Sequence, residues 1–273
     1  MRNKRINKIL GTILAITLPL TIIGVVALTL MSPGNMMGNM SNNMWNNSMW
    51  GHINNGHMNN GGHMGNSNSI SSDDKYKGIT KIKTSNIISD LEIKPSENDE
   101  TWVEYNGKRN VVSQVSGNTL TIKDKSMKMF GINMKGLSDK NERIVIYISS
   151  EDISLDLELA VSDTYISNVK LSSLEIEGGV GRTKLENITV HKDIEISGGI
   201  GETELINVNS NKLDIEVGVG KITINKLEAE KVDIDGGIGS ITINNATIKD
   251  LKTETGIGSL TINNSDIQNH KKD

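Results

Sequence analysis

From Leu155 onward the sequence returns to one pattern every 19 residues, with a single interval of 20, and nothing else in the chain restricts its fold so tightly. Units begin at Leu155, Leu174, Ile194, Leu213, Val232 and Leu251. Each opens with apolar and polar residues in alternation, as in Leu174-Glu-Ile176-Glu and Val232-Asp-Ile234-Asp, which is the period of a strand with one buried face. A unit of 19 residues cannot enclose a core alone, but stacked units bury a continuous column of Ile, Leu and Val. Parallel pairing at about 4.8 Å per step turns six such units into a rod on the order of 30 Å long. The fold class predicted is therefore all-β, a parallel β-solenoid of about six 19-residue rungs.

Two recurrent residue types mark where each rung bends. Glycines flank one apolar residue in Gly179-Val180-Gly181, Gly199-Ile200-Gly201, Gly218-Val219-Gly220, Gly237-Ile238-Gly239 and Gly256-Ile257-Gly258. Apolar parity shifts there, from Val232, Ile234 and Ile238 to Ile241 and Ile243, which signals a corner or bulge. A second corner is expected at Asn168, Asn187, Asn207, Asn245 and Asn264, because Asn tolerates the left-handed conformation and bonds to neighbouring backbone. The glycine runs are not phosphate loops, since no Gly-Lys-Ser/Thr follows them. Nor are they calcium repeats, since Thr183, Thr203, Ile222, Ile241 and Leu260 stand where Asp is needed.

Ahead of the repeats the chain changes character several times. Residues 1–8 form a basic cytoplasmic tail with Arg2, Lys4, Arg5 and Lys8, and residues 9–31 are an uncharged run long enough to cross a bilayer as a helix. The cationic flank stays cytoplasmic by the positive-inside rule, so the expected arrangement is a single-pass membrane protein with its C-terminal domain extracytoplasmic. A cleaved signal peptide is the alternative reading. Residues 32–75 are rich in Asn, Gly, Met and His and poor in aliphatic residues, the composition of a disordered tether. Residues 76–150 contain short alternating segments bounded by turn formers such as Pro95-Ser96 and Asn106-Gly107. They read as an irregular β cap on the first rung, or alternatively as a small separate sandwich. Rungs occupy 151–269, and 270–273 is a charged C-terminal tail that blunts the open edge.

Within the linker, Gly51-His52, Gly56-His57 and Gly62-His63 recur, the last two followed by Met58 and Met64. Thioether and imidazole together suit Cu(I), and imidazole alone suits Cu(II), Ni(II) or Zn(II), so His52, His57, Met58, His63 and Met64 are candidate metal ligands. A low-complexity spacer spread by short duplications has the same appearance. The chain contains no cysteine, which excludes disulfides and thiolate sites.

Stacking the rungs aligns Asp156, Glu175, Glu195, Asp214 and Asp233 in one column and Glu158, Glu177, Glu216, Asp235 and Glu254 in another. Such columns are either a solvated anionic face that resists aggregation, or a row of carboxylates for divalent cations, a cationic peptide or a basic partner surface. No catalytic constellation is visible. His191 lies at an expected turn with no nucleophile at a telling spacing, and a hydrolase would need a carboxylate cluster in a cleft. The repeats carry neither a basic stripe nor interleaved aromatics, so nucleic acid is not an expected partner.

The run Ile144-Val-Ile-Tyr-Ile-Ser, followed by Leu155-Asp-Leu-Glu-Leu, Ser167-Asn-Val-Lys-Leu, Leu174-Glu-Ile-Glu-Gly-Gly-Val-Gly and Lys184-Leu-Glu-Asn-Ile, resembles a bacterial family of candidate adhesins catalogued as a domain of unknown function. The resemblance extends from about residue 76 to the end. It implies an exported or membrane-associated, non-catalytic module, often in envelope-stress contexts. The function expected is thus a membrane-tethered, adhesin-like binding or structural module of the cell envelope, with an unknown envelope protein, a cationic peptide or a cation as partner. The alternative is a copper-type envelope protein whose Met/His linker binds the ion.

Overall fold

The computed structural model describes residues 75–107, 110–125, 142–149 and 152–272. The expected membrane segment, the linker and its candidate ligands His52, His57, Met58, His63 and Met64 lie outside these residues. Among the described residues no helix is long and apolar enough to cross a membrane.

All regular structure in the described residues is β, in one twelve-stranded sheet. In chain order the strands are β1 (Lys75–Tyr76), β2 (Lys81–Ile87), β3 (Asp90–Pro95), β4 (Thr101–Asn106), β5 (Val111–Ser116) and β6 (Thr119–Asp124). They continue with β7 (Arg143–Ile148), β8 (Ile153–Val161), β9 (Thr164–Ser167), the long bent run β10 (Lys170–Asn244), β11 (Thr247–Asn263) and β12 (Asp266–Lys272).

The 19-residue period is a pairing register. Leu174 lies beside Leu155 and Ile176 beside Leu157 where β10 meets β8, and Leu185 lies beside Ile166 where β10 meets β9. At the other end Val232 pairs with Leu251, Ile234 with Thr253 and Ile243 with Ile262, all in parallel. The chain therefore lays each turn directly on the last, and the inward residues form the core. Leu155, Leu174, Ile194, Leu213, Val232 and Leu251 are all buried. Complete burial of an Ile or Leu side chain contributes roughly 1.5–3 kcal/mol, and that gain recurs at every turn.

Asparagine closes one corner as expected. Asn168, Asn187, Asn207, Asn245 and Asn264 all take positive φ between 47° and 57°. Their amides also bond along the stack: Asn187 Nδ2 donates to Asn168 Oδ1 at 3.1 Å, and Asn207 Nδ2 to Asn187 Oδ1 at 2.9 Å. Lys226 occupies the same corner at φ 64°, without the short polar side chain that makes this conformation tolerable.

The region expected to be an irregular cap contains two more turns in parallel register. Ile82 of β2 pairs with Leu155 of β8, and Ile93 of β3 with Ile166 of β9. Outside these, Leu120 of β6 pairs with Ile82 and Ile146 of β7 with Ile93. The stacking order thus differs from the chain order: the β6–β7 turn is farthest out, β2–β3 next, then β8–β9. Antiparallel strands flank the outermost turn, β5 on β6 and β4 on β7, with β1 on β4. Trp102 and Tyr147 stack across the β4–β7 pair with ring centroids 3.7 Å apart.

The residues read as a charged tail belong to the last strand. His270, Lys271 and Lys272 pair with Leu251, Lys252 and Thr253, and His270 Nε2 lies 3.0 Å from the hydroxyl of buried Thr253.

Candidate interaction surface

The carboxylates singled out from the sequence do line up. Asp156 lies beside Glu175 and Glu158 beside Glu177 at one end of the repeats, and Asp235 lies beside Glu254 at the other. Glu175, Glu195, Glu216 and Asp235 are exposed, while Asp156, Glu177, Asp214 and Asp233 are half-buried.

Lysines close the first column at both ends: Lys252 occupies the column position of the last repeat, whereas Lys81 and Lys83 come from outside the repeats. Lys83 pairs in register with Asp156, and the Nζ atoms of Lys83 and Lys81 approach its carboxylate at 2.7 and 3.1 Å. Burial pushes the Asp156 carboxyl up, but hydrogen bonds and charge from Lys83 and Lys81 outweigh it and hold the group below the usual carboxylate range. At the far end Lys252 sits beside Asp233, 3.6 Å from it, with Lys271 next in the column. Lys212 reaches Asp214 at 2.8 Å along the same strand face. The face is a short anionic stripe closed at each end by cations.

A second feature borders this stripe. Val161, Val180, Ile200, Val219, Ile238 and Ile257 are six of the seven exposed large hydrophobic residues among those described. Sequence parity places Ile238 on the buried face with Val232 and Ile234, but the structure leaves it 50% exposed while Ile234 is fully buried. The glycines on either side explain the correction. A β-carbon at Gly237 would come within 2.4 Å of the Gly218 carbonyl oxygen, and one at Gly239 within 1.6 Å of the Gly220 oxygen. Both neighbours face the preceding turn, so the residue between them points outward. Val180 lies beside Val161 and Ile238 beside Ile257, and the stacked glycines carry the row through the middle turns. The signal was present as an apolar residue between two glycines in turn after turn, but it reads as a bend until the neighbouring backbone is placed.

On the face after the asparagine corner lies a polar groove of about 440 Å³, lined by residues including His191, Asn209, Glu228, Lys249 and Asp266. His191 is exposed there. Glu228 accepts a hydrogen bond from Asn209 at 3.1 Å. Among the described residues no group of three or more His, Asp or Glu is placed to hold a metal ion.

Residues 79–272, spanning both the opening turns and the repeats, match the Toastrack family (DUF4097). The chain belongs to the Toastrack family. No curated relative matches this Toastrack chain. Solved structures with a similar course include a candidate adhesin from Bacteroides fragilis, at 22% identity and a TM-score of 0.48, covering 72% of this chain and 95% of that one. A candidate cell adhesion protein from Clostridium sporogenes aligns at 19% identity and a TM-score of 0.37, covering 68% and 93%. A candidate lipid-binding protein from Parabacteroides distasonis aligns at 15% identity and a TM-score of 0.36, covering 71% and 93%.

Proposed function

We propose that this Toastrack chain is a non-catalytic binding module of the cell envelope: a β-solenoid carried outside the membrane on the segment 9–31 and the linker 32–75, presenting its carboxylate columns to a basic partner. The observation that carries this reading is the parallel register, which sets Asp156 beside Glu175 and Glu158 beside Glu177 at one end of the repeats and Asp235 beside Glu254 at the other. Like charges directly opposite in a sheet cost up to about 1 kcal/mol per pair, so a cationic surface laid across them relieves repulsion as well as gaining contacts. The partner class is a cationic peptide or a basic protein surface.

The test uses the full chain and a poly-lysine peptide as probe. Replacing Glu175, Glu195, Asp214 and Asp233 together by their amides lowers affinity several-fold and flattens its salt dependence, with the circular dichroism spectrum unchanged. Binding equal to that of the unaltered chain, on an intact fold, overturns the proposal.

A second reading rests on the recurring Gly-His-Met of the linker. There His52, His57, Met58, His63 and Met64 collect copper outside the cell and the β domain only displays them. Deleting residues 35–66 separates the two readings, because it abolishes Cu(I) uptake in a chelator competition and leaves poly-lysine binding untouched.

A further inference from the structure

The polar groove of about 440 Å³ after the asparagine corner takes no part in the carboxylate columns, and the stacking itself builds its walls. Parallel register makes Glu228 the neighbour of Thr247 and Thr247 the neighbour of Asp266, while Asn209 bonds to Glu228 at 3.1 Å. With Thr189 one turn earlier, these residues form one wall. Two residues further along each turn, on the same strand face, His191, Asn211, Glu230, Lys249 and Gln268 form the other. Apart from half-buried Thr189, the wall residues are exposed, and buried Val190, Ser210, Ala229 and Ile248 lie between them as a floor.

Two departures from the repeat fall in this groove. Three residues separate buried Val190 from buried Ile194, where two separate Ser210 from Leu213, Ala229 from Val232 and Ile248 from Leu251. That extra residue is the source of the single 20-residue interval, and it lies beside His191 at the end of the groove. The second departure is Ser210, a hydroxyl residue in a floor that is otherwise apolar. It is 4% exposed, and its Oγ has no hydrogen-bond partner within the chain, a cost that an ordinary core position avoids.

We propose that the groove binds an uncharged, extended, β-linked glycan chain lying along the stacking axis. A sugar hydroxyl both donates and accepts hydrogen bonds. The walls match this, since Thr189, Asn209, Asn211, Thr247 and Gln268 do both, the carboxylates accept and Lys249 donates. These groups recur at about 4.8 Å per turn. Rings of an extended β-linked glycan follow one another at nearly that interval, so successive sugars meet equivalent groups. An extended peptide advances about 3.3 Å per residue and falls out of step with the turns. Glu228, Glu230 and Asp266 outnumber Lys249, which disfavours an acidic polymer. The groove lies on a different side of the turn from the carboxylate columns, so its ligand does not depend on theirs.

The experiment is calorimetric titration of the full chain, held in a non-glycosidic detergent, with cellohexaose and chitohexaose as extended probes. Maltohexaose, which its α-links coil, is the comparison. At least one extended probe binds, and maltohexaose binds several-fold more weakly. An Asn209→Ala, Asn211→Ala double variant weakens the binding several-fold, because two exposed amides lose their bonds to the sugar. Glu195→Gln, on the carboxylate column, leaves it unchanged, and circular dichroism establishes that both variants are folded. Saturating poly-lysine also leaves the glycan affinity unchanged, so failure of the basic-partner reading and failure of this one are distinguishable. Binding of neither extended probe, equal affinity for maltohexaose, or undiminished binding by the folded double variant overturns the proposal. Displacement of the glycan by poly-lysine overturns its placement in the groove.

Discussion

A β-carbon placed on Gly220 would lie 1.7 Å from the carbonyl oxygen of Gly201 one turn below. Gly220 also has φ 159°, so both its conformation and its surroundings exclude a side chain. Gly198, in the preceding turn and three residues before Gly201, has only a Val217 methyl 3.7 Å from the site of a β-carbon. Gly220→Ala should therefore lower stability by about 2 kcal/mol or more, through displaced backbone and strain. Gly198→Ala should be neutral or stabilising by up to about 1 kcal/mol, because it removes freedom from the unfolded chain. Urea midpoints of the two variants decide the matter, and similar midpoints would contradict this account of the corner.

Lys226 pays for a left-handed backbone that its counterparts adopt as asparagine. Lys226→Asn should raise stability by about 0.5–1 kcal/mol, since Asn enters this region more readily. The gain would appear as a higher melting temperature with an unchanged spectrum; no increase would mean that the lysine contributes something the asparagine cannot replace.

Ile234 and Ile238 are four residues apart and apolar alike, yet one is fully buried and the other half exposed. Ile234→Ala should cost about 2–5 kcal/mol as a core truncation. Ile238→Ala should cost well under about 1 kcal/mol, the range of a surface change. Equal losses at both sites would show that the aliphatic row is covered within the monomer.

The Lys81 and Lys83 ammonium groups on Asp156 make stability depend on pH. Because the carboxyl is held below its unfolded value, its contribution is complete above the ordinary carboxylate range and is lost as pH falls through the depressed value. A Lys81→Gln, Lys83→Gln variant should be less stable than the parent at neutral pH, by a margin of about 1 kcal/mol for such part-exposed pairs. The margin should shrink toward zero in acid. Urea titrations across pH 2–7, with a gap that does not narrow at low pH, would remove this linkage.

Much of this architecture follows from local chemistry. The 19-residue period, the alternation at Val232 and Ile234 and the asparagine corners are each stated by a few neighbouring residues, since a period of two means one buried face and Asn marks a left-handed bend. The carboxylate columns follow from the same period, because residues one repeat apart must become neighbours once the turns stack. Lys252 at the far end follows from it too, but the lysines at the near end are a different matter: Lys83 reaches Asp156 across 73 residues, outside the repeat altogether.

What the chain determines by itself is the repeating turn and the residues that point inward along its straight segments. Tertiary structure decides the rest: that β6 and β7 stack beyond β2 and β3 although they follow them, and that Ile238 faces out while Ile234 faces in. Strand edges far apart in sequence must compete for the same hydrogen bonds, and no local pattern records which of them wins. At a glycine corner, likewise, the carbonyl oxygens of the turn below exclude a β-carbon on the flanking residues, so the direction of the side chain between them is settled by a neighbour it meets only in the folded state.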